Sequence, residues 1–156
     1  MDVAEQWGLP PGFSPVRYVI SDAAKSCLRG VLGPNEPVII SISNEGDSVA
    51  IVATPFRLFS VKTSELGGSG VTGANVKEFP WEGIQDVVLG PLSLNVKIAL
   101  VYRSSDGRIV ATGRKAALAK EHTDNLMAFE KVGGTEVFKA ILQVKNYKKM
   151  MAEAAG

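Results

Sequence analysis

Along this 156-residue chain, apolar and polar positions alternate with the two-residue period of strands through most of the length and shift to a helical period near the end. The densest apolar run lies in residues 49–62, VAIVATPFRLFSVK. Val49, Ala50, Ile51, Val52 and Ala53 are apolar on both parities, as in a strand buried on both faces. Thr54-Pro55 interrupts the run, because proline fixes its own φ and pushes the preceding residue towards extended geometry, so the stretch predicts two strands joined by a tight corner. Before it, residues 37–43 place Val38, Ile40 and Ile42 on one parity and Ser41 and Ser43 on the other, predicting a half-buried strand. Residues 44–48 predict the turn between. Further on, residues 75–89 resume as strand, bent at Pro80 and Gly83. The clearest alternation sets Leu92, Leu94, Val96, Ile98, Leu100 and Tyr102 against their neighbours and predicts a long strand. Ser105-Asp106-Gly107 predicts a hairpin into 108–114, residues 115–122 are left irregular, and 126–132 predict a short last strand.

Two segments carry helix signals. Ser21 can cap a short helix with Ala23, Ala24, Cys27 and Leu28 on one face and Gly30 at its end. Gly133-Gly134 is expected to break the chain before Thr135, which would cap a helix running to about Met151. In that helix Val137, Phe138, Ile141, Leu142 and Val144 form one side, while Lys139, Gln143, Lys145, Lys148 and Lys149 lie elsewhere or towards the end. An amphipathic helix of this kind needs a surface to cover. Residues 1–19 hold Pro10, Pro11 and Pro15 with Gly8 and Gly12, so they predict an arm rather than a regular element. Trp7, Phe13 and Tyr18 predict that the arm packs on something.

The length suits one domain with a real core. A net charge of +1 gives no bulk attraction to nucleic acid or anionic membrane, so neither is expected as a partner except through a local patch. The single cysteine, Cys27, excludes an intrachain disulfide and a multi-cysteine metal site. No stretch approaches the roughly 18 apolar residues of a membrane span, and the first 20 residues carry no basic segment before an apolar core. A soluble, unprocessed, cytoplasmic chain is expected.

About seven strands in meander order followed by one amphipathic helix resemble a pleckstrin-homology-like (PH-like) barrel. The bacterial PH-like families and the related GRAM domains typically show an acidic residue just before the first strand, here Asn35-Glu36-Pro37. They also show an "a-T-x-x-R-l" corner, here Ala53-Thr54-Pro55-Phe56-Arg57-Leu58, and an aromatic-Pro-aromatic segment followed by isoleucine, here Phe79-Pro80-Trp81 and Ile84. The resemblance covers roughly 34–147. It implies a mainly β fold: a partly open barrel of about seven antiparallel strands in two near-orthogonal sheets, with a C-terminal capping helix. Residues 1–33 would be an arm with a short helix, and 34–156 the barrel. Domains of this type are binding modules and seldom enzymes. The sequence departs from phosphoinositide-binding members in the first inter-strand loop, where Glu45 and Asp47 stand in place of Lys or Arg. No phosphoinositide specificity is expected.

Few residues carry chemistry. Gly68-Ser69-Gly70-Val71-Thr72-Gly73 matches G-x-G-x-x-G, but a dinucleotide fingerprint needs a helix directly afterwards, and Pro80 with the strand-like 75–79 offers none. His122 is a lone histidine, read as part of a solvated turn, and Cys27 is read as a small core residue. Trp81 is expected in the core. Lys145, Lys148 and Lys149 gather in the last turns of the final helix, as the helix dipole favours, and form a possible contact for an anionic surface, with Arg114 and Lys115 as helpers if the fold brings them near. The sequence thus points to a non-catalytic module without cofactor or metal, associating with a protein partner or with its own copies through open strand edges, and touching membranes weakly. The alternative is a small-molecule or nucleotide binder, or an enzyme, built on the glycine loop 67–73 with His122 or Cys27.

Overall fold

Thr54 and Pro55 turn the chain between β3 (Val49–Ala53) and β4 (Arg57–Lys62) in a computed structural model, and the two strands pair antiparallel with Val49 opposite Lys62 and Ala53 opposite Leu58. The structure describes residues 6–43, 49–62, 75–91, 95–103, 109–110 and 126–155. In these, β1 (Val16–Arg17), α1 (Asp22–Leu28) and β2 (Ile40–Ser43) precede the central pair. After it come β5 (Asn75–Pro80), a 3-10 turn at Trp81–Gly83, β6 (Ile84–Pro91), β7 (Asn95–Arg103), β8 (Ile109–Val110), β9 (Leu126–Glu130) and α2 (Lys131–Ala155).

The strands form two sheets. One has the order β1-β2-β3-β4-β5; in the other β7 is central, with β6 along one edge and β8 and β9 pairing to opposite ends of the other. The described strands thus number nine rather than about seven, and they are not all antiparallel, because β1 runs parallel to β2 with Val16 opposite Ile40. Two residues after a proline carry no readable period, so the sequence pattern could not announce this strand. β1 also covers the edge of β2: Val16 N–H donates to Ile39 O at 3.0 Å and Tyr18 N–H to Ser41 O at 2.8 Å.

The apolar run on both parities of β3 has two destinations. Ile51 and Ala53, with Leu58 of β4, join the main core of Ile40, Phe79, Trp81, Ile98, Phe129 and Ile141. Ala50 and Val52, with Phe59 and Val61, pack on the other face under Ala24 and Leu28 of α1. The serine parity of β2 departs from expectation in the same way, since Ser41 is buried. The arm covers it and meets its polar atoms: Ser41 Oγ donates to Tyr18 O at 2.7 Å, and Ser43 Oγ accepts from Ser21 N–H at 3.2 Å. With the Tyr18 carbonyl as partner the buried hydroxyl of Ser41 avoids the desolvation penalty that an unpaired one would carry. Ser21 caps α1 as expected, its Oγ accepting from Ala24 N–H.

The final helix starts four residues before Thr135, the residue expected to cap it. α2 follows β9 directly, and Gly133 and Gly134 lie inside its first turns instead of breaking the chain ahead of Thr135. The helix lies on β6, β7 and β2 with Val137, Ala140, Ile141 and Val144 buried, and it runs on to Ala155. A Cβ at Gly134 would stand 2.5 Å from Val96 Cγ2 and 3.1 Å from Phe129 Cβ, so the pair acts as a contact surface between helix and sheet. Among the described residues no helix is long and apolar enough to cross a membrane.

This packing separates the two glycines. Gly134→Ala is expected to destabilise the protein by about 1–3 kcal/mol through overpacking, lowering Tm by about 2–4 °C per kcal/mol. At Gly133 the added methyl meets only the terminal methyl of the Ile42 side chain, at 3.0 Å from Cδ1, and gains helix propensity, so Gly133→Ala should stay within about 1 kcal/mol of the parent. Calorimetric melts of the two variants check the contrast.

Candidate functional site

The site is assembled from the corner outward. Glu36, just before β2, has a side chain only 6% exposed, and both of its oxygens are fully engaged. Oε1 accepts from Gly33 N–H at 2.9 Å and Arg57 Nη2 at 2.8 Å; Oε2 accepts from Thr54 Oγ1 at 2.7 Å and Arg57 Nε at 2.8 Å. Arg57 also donates to Val31 O and to Glu78 Oε1, and its guanidinium lies 4.8 Å from the centroid of the Phe59 ring. The hydrogen bonds from Arg57 hold the Glu36 carboxyl at about 2, below the usual 4.5, against the opposing effect of burial. Thr54 closes the corner, its Oγ1 accepting from the N–H groups of Phe56 and Arg57. Its carbonyl accepts from Trp81 Nε1 at 2.7 Å. The short motifs Glu36, Thr54-x-x-Arg57 and Trp81 are therefore one hydrogen-bonded unit.

From that unit two lines lead to a groove. Phe56, 50% exposed at the corner, meets the Trp7 ring edge-on with centroids 5.6 Å apart. The next residue, Gly8, has φ +71°, a conformation open to glycine at little strain, and a Cβ there would lie 3.5 Å from Lys148 Nζ. The second line is Trp81, which begins the turn leading into β6. Gly8, Trp81, Glu82, Ile84 and Gln85 line one side of a groove of about 470 Å³, and Lys145, Lys148, Lys149, Met151 and Ala152 of α2 line the other.

All three lysines singled out from the sequence line this groove, at three depths. Lys145 was expected away from the apolar side of the helix, yet it is 7% exposed, with its ammonium 3.6 Å from Asp86 Oδ1. The long stem lets a lysine be buried along apolar surface in this way. Lys148 is half-buried, and burial pushes its ammonium below the usual lysine range while the charge of Glu82 acts in the opposite sense. Lys149 is exposed, and Met151 beside it is 49% exposed. Arg114, Lys115, His122, the glycine loop 67–73 and the acidic turn with Glu45 and Asp47 lie outside the described residues. Cys27 is partly buried and packs on the apolar cluster beneath α1. Gly8, Glu82, Gln85 and Met151 were not singled out from the sequence. The one available signal was Trp7, which announced that the arm packs without saying where. Among the described residues no three His, Cys, Asp or Glu side chains converge on a metal-sized site.

No protein-family model and no curated protein matches the sequence. Among solved structures, the chain is similar to the crystal structure of a pleckstrin homology domain from Shewanella amazonensis SB2B. The TM-score is 0.47 and the sequence identity 16%, over 80% of this chain and 99% of that one. The likeness is to a bacterial PH-like domain.

The corner makes acid stability testable. Because the folded pKa of Glu36, about 2, lies below the usual 4.5, its stabilisation is complete above that usual value and is lost as the pH falls from 4.5 towards 2. The loss attributable to this group is about 3 kcal/mol. Urea melts across that window should show it in the parent and not in Glu36→Gln, which should be less stable than the parent at neutral pH.

Proposed function

We propose that this chain is a non-catalytic, cytoplasmic binding module of the PH-like kind, which associates with a protein partner or with a second copy of itself. Residues 34–156 form its barrel, two sheets closed by α2. Residues 1–33 are an arm that lends Leu9 and Phe13 to the core. The observation that carries this reading is the groove at the end of α2: charged ammonium groups, an apolar wall of Trp81 and Ile84 and the half-exposed Met151 give a contact surface. Glu36 and Arg57, the most strongly perturbed ionisable pair in the described residues, act in the architecture of the module. Every polar atom of that pair is committed to holding the corner.

Size-exclusion chromatography with light scattering tests association. The expected result is a mass above the monomer that falls to the monomer in Met151→Glu with little change in Tm. A parent monomer up to the highest soluble concentration would remove the second-copy reading.

Membrane contact is expected to be weak, since each exposed basic residue near an anionic surface contributes about 1 kcal/mol and Lys145 is too recessed to reach one. Liposome co-sedimentation should show no preference among phosphoinositides, and residual binding should vanish at high salt. Tight binding of one headgroup at high salt would contradict this.

A further inference from the structure

We propose that the groove between the last turns of α2 and the turn at Trp81 is a binding site for a small amphiphilic anion, one carboxylate or phosphate monoester group on an apolar chain. This inference rests on reading that groove as the contact site of a binding module, and it deepens that reading by assigning a ligand class.

Lys145 and Lys148 bring two ammonium groups to one groove. Lys145 is 7% exposed, and the ionic partner the structure gives it is Asp86 at 3.6 Å, beyond hydrogen-bonding distance, on a side chain that is itself 57% exposed. The stem of Lys145 is buried, its ammonium is held, among the described residues, only by this long ion pair, and the residue lines the groove. Lys148 is half-buried beside Gly8. Burial also disfavours its charged form, and an incoming anion would reverse that. Two ammonium groups recessed in one groove favour an anionic group that protrudes, which the flat face of a bilayer does not offer to Lys145.

The rest of the lining sets the ligand's other features. Trp81 and Ile84 form an apolar floor and Met151 a half-exposed rim, so a body without polar groups has somewhere to lie. Glu82 lines the same groove and is exposed. Its negative charge opposes a polyanion more than a group of one or two charges. The volume of about 470 Å³ falls within the usual range for small-molecule sites.

Calorimetry and tryptophan fluorescence with octanoate, octyl phosphate, octanol and inorganic phosphate test the proposal on the full chain. Octanoate or octyl phosphate should saturate the site, with octanol and inorganic phosphate at least about tenfold weaker, because each lacks one half of the recognition. Lys148→Met should weaken the alkyl anions at least about tenfold and Lys148→Arg less, and Ala152→Trp should block them by filling the groove while the fold keeps its Tm. Octanol binding as well as octanoate, no saturation by either alkyl anion, or indifference to both Lys148→Met and Ala152→Trp would overturn it. Phosphatidylglycerol vesicles supply the same anion from a surface. Vesicle binding that depends on Lys148 while monomeric alkyl anions fail would overturn the free-ligand proposal in favour of a membrane. Light scattering on the same samples separates the two readings: alkyl anions saturating a monomer uphold this one and remove self-association, and an associating protein that ignores them does the reverse.

Discussion

The structure depends first on the closed ring of hydrogen bonds around the Glu36 carboxylate. A carboxylate shielded to this degree would be costly if one oxygen were left without donors. Here four donors from Gly33, Thr54 and Arg57 reach it. The consequences are long-range. The ring ties the segment before β2 to the corner between β3 and β4, and the Thr54 carbonyl then holds Trp81, the first residue of the turn that carries the chain from one sheet to the other. One small polar unit thereby couples the two sheets at their junction.

The second constraint is the approach of α2. Glycines inside a helix ordinarily weaken it, yet at 133 and 134 they allow the first turns to lie against Val96, Phe129 and Ile42. That contact sets the helix axis. With Val137, Ile141 and Val144 committed to the core, the next position along the same face is Lys145, which is why a lysine becomes buried near the helix end. The groove is the meeting place of these two constraints. Trp81, held by the corner, faces the lysines carried there by the helix.

The arm links both. It completes the first sheet as β1, meets the hydroxyls of buried Ser41 and half-buried Ser43, and passes Gly8 beside Lys148 on the way. An arm with these attachments is part of the fold and of the candidate site at once. The groove's chemistry therefore differs from that of an exposed lysine patch: the charges sit at graded depths, which favours a shaped partner over a flat charged surface.

Much of the β framework was legible from the residues alone because it rests on local rules. Proline fixed the corner at Thr54-Pro55 through its φ, alternation marked β7, and apolar residues on both parities marked β3 as covered on both faces. Even the positions of the polar unit could be noted, at Glu36, Thr54, Arg57 and Trp81, though not that they bond to one another. What covers a given face was not legible. Ser41 had the pattern of an exposed serine and is buried because the arm lies over it; Gly133-Gly134 had the pattern of a break and is helical because the neighbouring sheet needs the space. Lys145 had the pattern of a solvated end, and the groove joins residue 8 to residues 81–85 and 145–152. Periodicity and backbone sterics act over a few residues, whereas burial and the meeting of charges depend on which distant segments are brought together, and that is decided only when the sheets, the helix and the arm pack.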